Sequence, residues 1–173
     1  MYDYRPQRQS PKAKILSFGL LCAAILLFFL SAKMERFAFI PQCVGLALLL
    51  PMIQIVARYV ILQYLYRLRP YEDGNVDFEV YSYRGGSRMQ LVCRIGLEEI
   101  TDVRPMGAAK GEKKPRYNYH PDMAPKTGVL VSVRNADGEC ELLLAPDAHL
   151  FEMLDNAARQ NKAADTFEEE THD

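Results

Sequence analysis

Two patterns of hydrophobic positions divide the chain: apolar residues run almost continuously to Ala57, and from Arg69 onward they alternate with polar ones. The run ILSFGLLCAAILLFFLSA, from Ile15 to Ala32, holds 18 residues and no charge. At about 1.5 Å per residue it covers roughly 27 Å, close to the hydrocarbon thickness of a bilayer. It is longer than the apolar region of a signal peptide, about 7–15 residues, so the pattern predicts a membrane span and not a cleaved leader. A second run, FAFIPQCVGLALLLPMIQIVA from Phe37 to Ala57, follows almost at once and is prolonged by RYVILQYLY. The predicted spans are about 15–32 and 37–62, inside a hairpin of 15–66. Pro41 and Pro51 would break a helix in water, whereas in lipid neighbouring helices re-satisfy the freed carbonyls.

The link between the spans is KMER, Lys33 to Arg36, too short for anything but an antiparallel hairpin. Both long ends then face one side of the membrane. Arg5, Arg8, Lys12, Lys14, Arg58, Arg67 and Arg69 flank those ends, seven cations against Lys33 and Arg36 in the link. The excess of Lys and Arg places both termini in the cytoplasm, in a multi-pass protein of the cytoplasmic membrane. Tyr59, Tyr64, Tyr66 and Tyr71 at the exit fit an interfacial aromatic belt. Gly19, Ala23 and Ala24 in one span and Gly45 and Ala47 in the other permit close helix packing. Gln42 and Gln54 are expected to bond to the partner helix or to lie near an interface. No Asp, Glu, Lys or Arg sits within either core to mark a transport path.

Beyond the spans the period becomes two. VDFEVYSY sets Val76, Phe78 and Val80 on one face and Asp77, Glu79 and Tyr81 on the other; MQLVCRI does the same with Met89, Leu91, Cys93 and Ile95. Gly85-Gly86 between them supplies the positive φ of a tight hairpin. Leu97, Ile100 and Val103 suggest a short turn leading into a strand. A second hairpin sets Val129, Val131 and Val133 against Cys140, Leu142 and Leu144 around Asp137-Gly138. Leu150, Phe151, Leu154, Ala157 and Ala158 recur at helical spacing, with Asp147 as N-cap and Arg159 and Lys162 near the end. The domain organisation predicted is a basic N-terminus over 1–14, the hairpin, a β-rich domain over 70–162 and an acidic disordered tail over 163–173.

Composition changes this picture little. The net charge of −1 averages an apolar first third with a polar remainder. Cys22, Cys43, Cys93 and Cys140 are widely spaced, with no CxxC and no neighbouring His; they are expected to be four independent buried thiols in a reducing compartment. There is no GxSxG, HExxH, Walker loop or glycine-rich dinucleotide turn, so no catalytic residue, metal ligand or cofactor is assigned.

The runs CRIGLEEITDVRPM and GVLVSVRNADGECELLLAPDAHLFEMLDNAAR resemble the bacterial pleckstrin-homology-like (PH-like) domains of small membrane proteins, over about half the chain, from near Asp73 to Gln160. The resemblance implies a transmembrane hairpin before a curled β-sandwich or barrel closed by a C-terminal helix, and little chemistry. That fold has seven strands. Five are counted here, and the other pair is expected from Val103 to Lys126.

That stretch contains the least core-like segment, GEKKPRYNYHPDMAPKTG. Arg104, Lys110, Lys113, Lys114, Arg116 and Lys126 face only Glu112 and Asp122 there. Each cation near an anionic leaflet contributes about 1 kcal/mol of attraction. Lys113, Lys114, Arg116, Tyr117 and Tyr119 are the candidate headgroup- or partner-binding residues. Three readings stay open: a phosphorylated-headgroup pocket with Arg116 bidentate to phosphate, nonspecific lipid contact, and a solvated connection whose tyrosines pack on the sheet. His120 and Asp122 lack further ligands at metal or acid–base spacing, and His120 is expected to be solvated. One short basic cluster on a chain without net positive charge argues against nucleic acid.

The function expected is a membrane-anchored scaffold, regulatory or binding module for a protein partner or the membrane surface, not an enzyme. The alternative is an accessory subunit of a membrane transporter or enzyme complex, working through its hairpin.

Overall fold

The computed structural model describes residues 1–34, 37–71, 74–85, 88–107, 114–136 and 138–170, with side chains as far as residue 164. It divides into two units. Arg8–Leu62 with Asp122–Ala124 form one; Met1–Gln7, Gln63–Pro121 and Pro125–Asp173 form the other.

The first unit is helical. Helix α1 (Lys12–Ser31) is followed by α2 (Phe39–Ile55), which runs through Pro51 and widens into π-helical turns over Val56–Ile61. Both are long and apolar enough to cross a membrane. Phe18, Phe29, Phe39 and Leu50 are exposed along them, so the apolar surface is turned outward and not into a protein core. That suits lipid and not water.

The inward seam is made of small residues. Ala13, Ser17, Ala24 and Ser31 of α1 are buried, as are Pro41 and Gly45 of α2. A Cβ on Gly45 would lie 3.3 Å from the Phe28 ring and 3.4 Å from the Ala24 carbonyl, so glycine sets how closely the helices approach. Ala24 and Gly45 thus act as the sequence suggests, whereas Gly19 and Ala47 are exposed and Ala23 is half-buried. Gln42 Nε2 donates to Ser31 Oγ across the hairpin (3.4 Å), and Gln54 is exposed. The Arg8 guanidinium donates to the Val60 carbonyl and to the Leu62 carbonyl (2.6 Å), capping the end of the second helical segment.

Here the structure corrects the sequence reading. The helical segment ends at Ile61, and residues expected to prolong it form a strand. Tyr64 and Tyr66 are 4% and 0% exposed, so they belong to a β core and not to an aromatic belt.

The second unit is mainly β. Strands β1 (Tyr2–Tyr4), β2 (Leu62–Pro70), β3 (Val76–Arg84) and β4 (Gln90–Gly96) form one sheet in that order. Strands β5 (Ile100–Pro105), β6 (Arg116–Asn118), β7 (Val129–Asn135) and β8 (Gly138–Leu144) form another, in the order β5-β7-β8-β6. There are thus eight strands among the described residues. The stretch from Val103 to Lys126 supplies one wholly new strand, β6. The other two not foreseen, β1 and β2, come from either side of the helical hairpin.

Pairing follows the turns. Gly85 has φ +56° and Gly138 φ +120°, each at the predicted hairpin position, while Gly86 and Asp137 lie outside the described residues. Strands β3 and β4 are antiparallel with a bulge after Val80 that leaves Val92 unmatched. Strands β7 and β8 pair from Val129↔Leu144 to Asn135↔Gly138, and β6 runs parallel to β8.

Helix α3 (Ala148–Glu170) lies against β5 and buries Leu150, Leu154, Ala157 and Ala158. Asp147 caps it, accepting the Leu150 N–H at 3.0 Å. Asn161 Nδ2 donates to the Leu97 and Ile100 carbonyls, both at 2.8 Å, and fastens the helix to the turn before β5. The helix continues eight residues past Lys162, over sequence expected to be a disordered tail; residues 171–173 lie outside the described set.

Tyr66 links the sheets. It is fully buried, sets its ring at a tilt against Phe78 with centroids 6.0 Å apart, donates its hydroxyl to the Tyr119 carbonyl (3.0 Å) and accepts the Ala145 N–H (3.2 Å). Burial raises its pKa well above the ordinary tyrosine value.

Candidate functional site

The candidate loop divides on inspection. Lys113 lies outside the described residues. Lys114 pairs with Glu139 at 2.6 Å. Arg116, on β6, directs Nε and Nη2 to Glu141 Oε2 at 2.9 and 2.6 Å, while Arg104 Nη2 donates to the other oxygen. Parallel pairing sets this up, because Arg116 stands directly opposite Glu141 in the β6–β8 register. Burial alone would raise the pKa of Glu141, but its bonds to Arg116 and then Arg104 outweigh that and hold the carboxyl below its usual range. Lys114, with Arg134, likewise lowers Glu139.

Two of the loop's cations are therefore engaged with acids of β8. A phosphate competing for Arg116 would have to displace a carboxylate only 3% exposed, leaving that charge with one partner fewer in a buried position. Tyr117 is 53% exposed and points away from the core. Tyr119 is half-buried; its hydroxyl donates to the carbonyl of the bulge residue Val92 at 3.3 Å, and its ring meets Tyr64 edge-on at 5.9 Å. Burial raises its pKa above the ordinary value. The sequence grouped these five residues; the structure spreads Lys114, Arg116, Tyr117 and Tyr119 over salt bridges, surface and core.

A cleft of about 380 Å³ opens beside them. Tyr117 and Tyr119 form one side, Val92 to Ile95 of β4 another, and Gly138 to Cys140 with Leu142 of β8 the floor. Cys93 and Cys140 face this cleft. Burial raises both thiol pKa values, only partly offset at Cys93 by a bond to Tyr119, so neither is set up as a thiolate nucleophile. The four cysteines are free, but Cys22 and Cys43 are exposed and Cys93 and Cys140 half-buried, against the expectation of four buried thiols. Cys22 and Cys43 stand on the outward-turned apolar surface of α1 and α2.

His120 is 4% exposed, not solvated; its backbone N–H donates to Asn118 Oδ1 at 2.9 Å. Asp122, in the helical unit, is also buried and accepts the N–H groups of Gln9 and Ser10 at 3.2 Å just before α1. No group of three or more His, Cys, Asp or Glu among the described residues could hold a metal ion.

A second, more apolar cleft of about 390 Å³ lies between β1–β2 and α3, lined by Tyr2, Leu68, Val76, Leu97, Met153 and Ala157 among others. Sequence reasoning missed Glu141 and Glu139 as partners of the loop's cations. One signal was present: alternation in GECELLL puts both glutamates on one face, where two negative charges need company.

No family model matches the chain, and no curated protein or solved structure matches it either.

Proposed function

We propose that the chain is a membrane-anchored, PH-like module of a bacterial cytoplasmic membrane that works by binding and not by catalysis. Its β domain stands on the cytoplasmic side, where it serves a protein partner or the membrane surface as a scaffold or regulatory unit. The observation that carries this reading is the pairing of β1 with β2, Tyr2↔Leu68 to Tyr4↔Tyr66. These strands flank the two apolar helices in sequence, so the chain that leaves the sheet through the hairpin comes back to it. If the helices cross a bilayer, both their outer ends lie on the domain's side. The excess of cations on those ends makes that side the cytoplasm. Anchoring raises the domain's local concentration near other membrane components, so a weak contact suffices. Two sheets closed by a C-terminal helix support the PH-like comparison.

A fragment starting at Arg69 would lack β1 and nearly all of β2, so the test uses the whole chain. With the native cysteines replaced, Gln160→Cys and Lys33→Cys variants are exposed to a membrane-impermeant maleimide on intact spheroplasts. Labelling of Lys33→Cys alone, and of both after lysis, is expected. Labelling of Gln160→Cys from outside refutes the orientation.

A second reading is an accessory subunit acting through its hairpin. It is favoured by Gly19, whose Cβ position has nothing within 4 Å and leaves a flat site on the outward face of α1. Co-purification of a membrane partner that Gly19→Leu abolishes would support it.

A further inference from the structure

Cys93 and Cys140 lie far apart in the chain, yet the fold turns both toward one space. In the β3–β4 register Cys93 stands opposite Val80 and Ile95 opposite Phe78, and Val80 and Phe78 are fully buried. Cys93 and Ile95 therefore sit on the core side of the first sheet. Cys140 and Leu142 stand opposite Val133 and Val131, each at most 1% exposed, and share the core side of the second. All four line the cleft of about 380 Å³. Strands β4 and β6, the last of their respective sheets, both wall it, so the cleft is an open seam of the β unit.

Both thiols are free and half-buried there. They are near enough to feel the same charges: Cys140 and Glu99 each add to the rise in the Cys93 pKa, and Glu99 adds to that of Cys140. The Tyr119 hydroxyl lies against Cys93 as well as the Val92 carbonyl, so a donor is at hand for a thiolate at Cys93.

What two thiols across a seam can hold follows from ligand number. Among the described residues no third His, Cys, Asp or Glu completes a metal-binding group with them, and Glu99 is engaged with the Gly96 N–H at 3.1 Å. Zinc asks for three or four protein ligands, calcium and magnesium for oxygens, and iron–sulfur clusters for four thiolates. Soft thiolates select monovalent copper, a filled-shell ion that is satisfied by two ligands in line. Geometry separates such a site from a disulfide. A disulfide needs its Cα atoms within about 7 Å, whereas facing sheets lie about 10 Å apart. Two metal–thiolate bonds of about 2.3 Å each hold the sulfurs about 4.6 Å apart and so reach across a wider gap.

We infer that Cys93 and Cys140 form a two-coordinate site for copper(I), supported by a hydrogen bond from the Tyr119 hydroxyl to the Cys93 sulfur. Binding exchanges each S–H bond for a metal–sulfur bond; the two protons pass to solvent and no electron is transferred. The bound ion ties β4 to β8 across the seam. This goes beyond the binding role proposed above, and because the site lies wholly within the β unit it holds whichever way the helices are placed.

The full-length chain with Cys22→Ser and Cys43→Ser retains only these two thiols. In detergent, without oxygen and under reducing conditions, it is titrated with copper(I) against the coloured chelator bathocuproine disulfonate. One ion per chain, a two-sulfur site by X-ray absorption and a raised thermal midpoint are expected. Bound copper should also shield both cysteines from iodoacetamide, read by mass on their peptides, which keeps the test decisive where a further serine variant fails to fold. Adding Cys93→Ser or Cys140→Ser should abolish the two-sulfur signal. Tyr119→Phe should keep that signal and weaken affinity by about tenfold, as loss of an outer hydrogen bond does; an unchanged affinity refutes the part given to Tyr119. No copper won from the chelator, an ion bound with either cysteine still alkylated, or binding indifferent to both serine variants overturns the site. One ion per two chains assigns the thiols to a contact between copies and overturns it as well.

Discussion

The Tyr2 hydroxyl donates to Oδ2 of Asp147, the same carboxylate whose Oδ1 caps helix α3. One side chain thus ties the first strand of the chain to the start of its last helix, across 145 positions of sequence. The His149 ring meets the Tyr2 ring edge-on at 5.0 Å and closes the same corner.

Tyr2→Phe should lower stability by about 1 kcal/mol, the ordinary net contribution of such a bond, and Asp147→Ala by about 1–2 kcal/mol because the cap goes too. The hydrogen bond to Asp147, aided by burial, raises the pKa of Tyr2 from 10.0 to about 12. The neutral phenol is the form the fold favours, so its contribution is complete below pH 10 and is lost as pH climbs toward 12. Thermal unfolding of the detergent-solubilised chain between pH 8 and 12 should show a wild-type decline steeper than that of Tyr2→Phe. Parallel curves would refute the coupling.

Removing the Tyr66 hydroxyl should cost more. Tyr66→Phe keeps the ring against Phe78 but leaves the Ala145 N–H and the Tyr119 carbonyl without it. A loss of about 1–3 kcal/mol is expected, read as a shift in denaturant midpoint at unchanged slope.

Glu141 organises two arginines from a buried position. Glu141→Ala should destabilise by about 1–3 kcal/mol, since it removes the anion that Arg104 and Arg116 share. Adding Arg104→Met and Arg116→Met should restore most of that loss. Because the carboxyl titrates below its usual range, its stabilisation is present above pH about 4.5 and disappears as pH falls through the folded-state value. A midpoint indifferent to pH between 5 and 3 would contradict the pairing.

The helix seam is tested by two glycines. Gly45→Leu forces the Phe28 ring and the Ala24 backbone away and should cost about 1–3 kcal/mol, whereas Gly19→Leu meets nothing and should be neutral. Equal effects on the thermal midpoint in detergent would show that the seam is placed elsewhere.

What could be read from sequence was whatever is local. The two apolar helices, the turns at Gly85 and Gly138 and the face of α3 carrying Leu150 and Leu154 each announce themselves within a few residues. Strand β2 did not, although Tyr64, Tyr66 and Leu68 alternate with Gln63 and Arg67. It joins the apolar helical segment without a break, and its partner β1 lies more than sixty residues upstream. Strand β6 has three residues, too few for a period to show, and its register against β8 exists only in three dimensions. The cations of the loop could therefore be counted from sequence, but not the pairing of Lys114 and Arg116, because Glu139 and Glu141 come from a strand whose neighbour could not be foreseen.

The β1–β2 pair also orders the birth of the molecule. Tyr2 to Tyr4 are synthesised before the two apolar helices, yet their hydrogen-bonding partner, Tyr66 to Leu68, follows both. Until Tyr2 to Tyr4 return to it, that edge of β2 stands open, a row of unpaired backbone groups. Completion of this small sheet therefore waits on the whole helical segment, and closing a loop of more than sixty residues makes it a late step in folding.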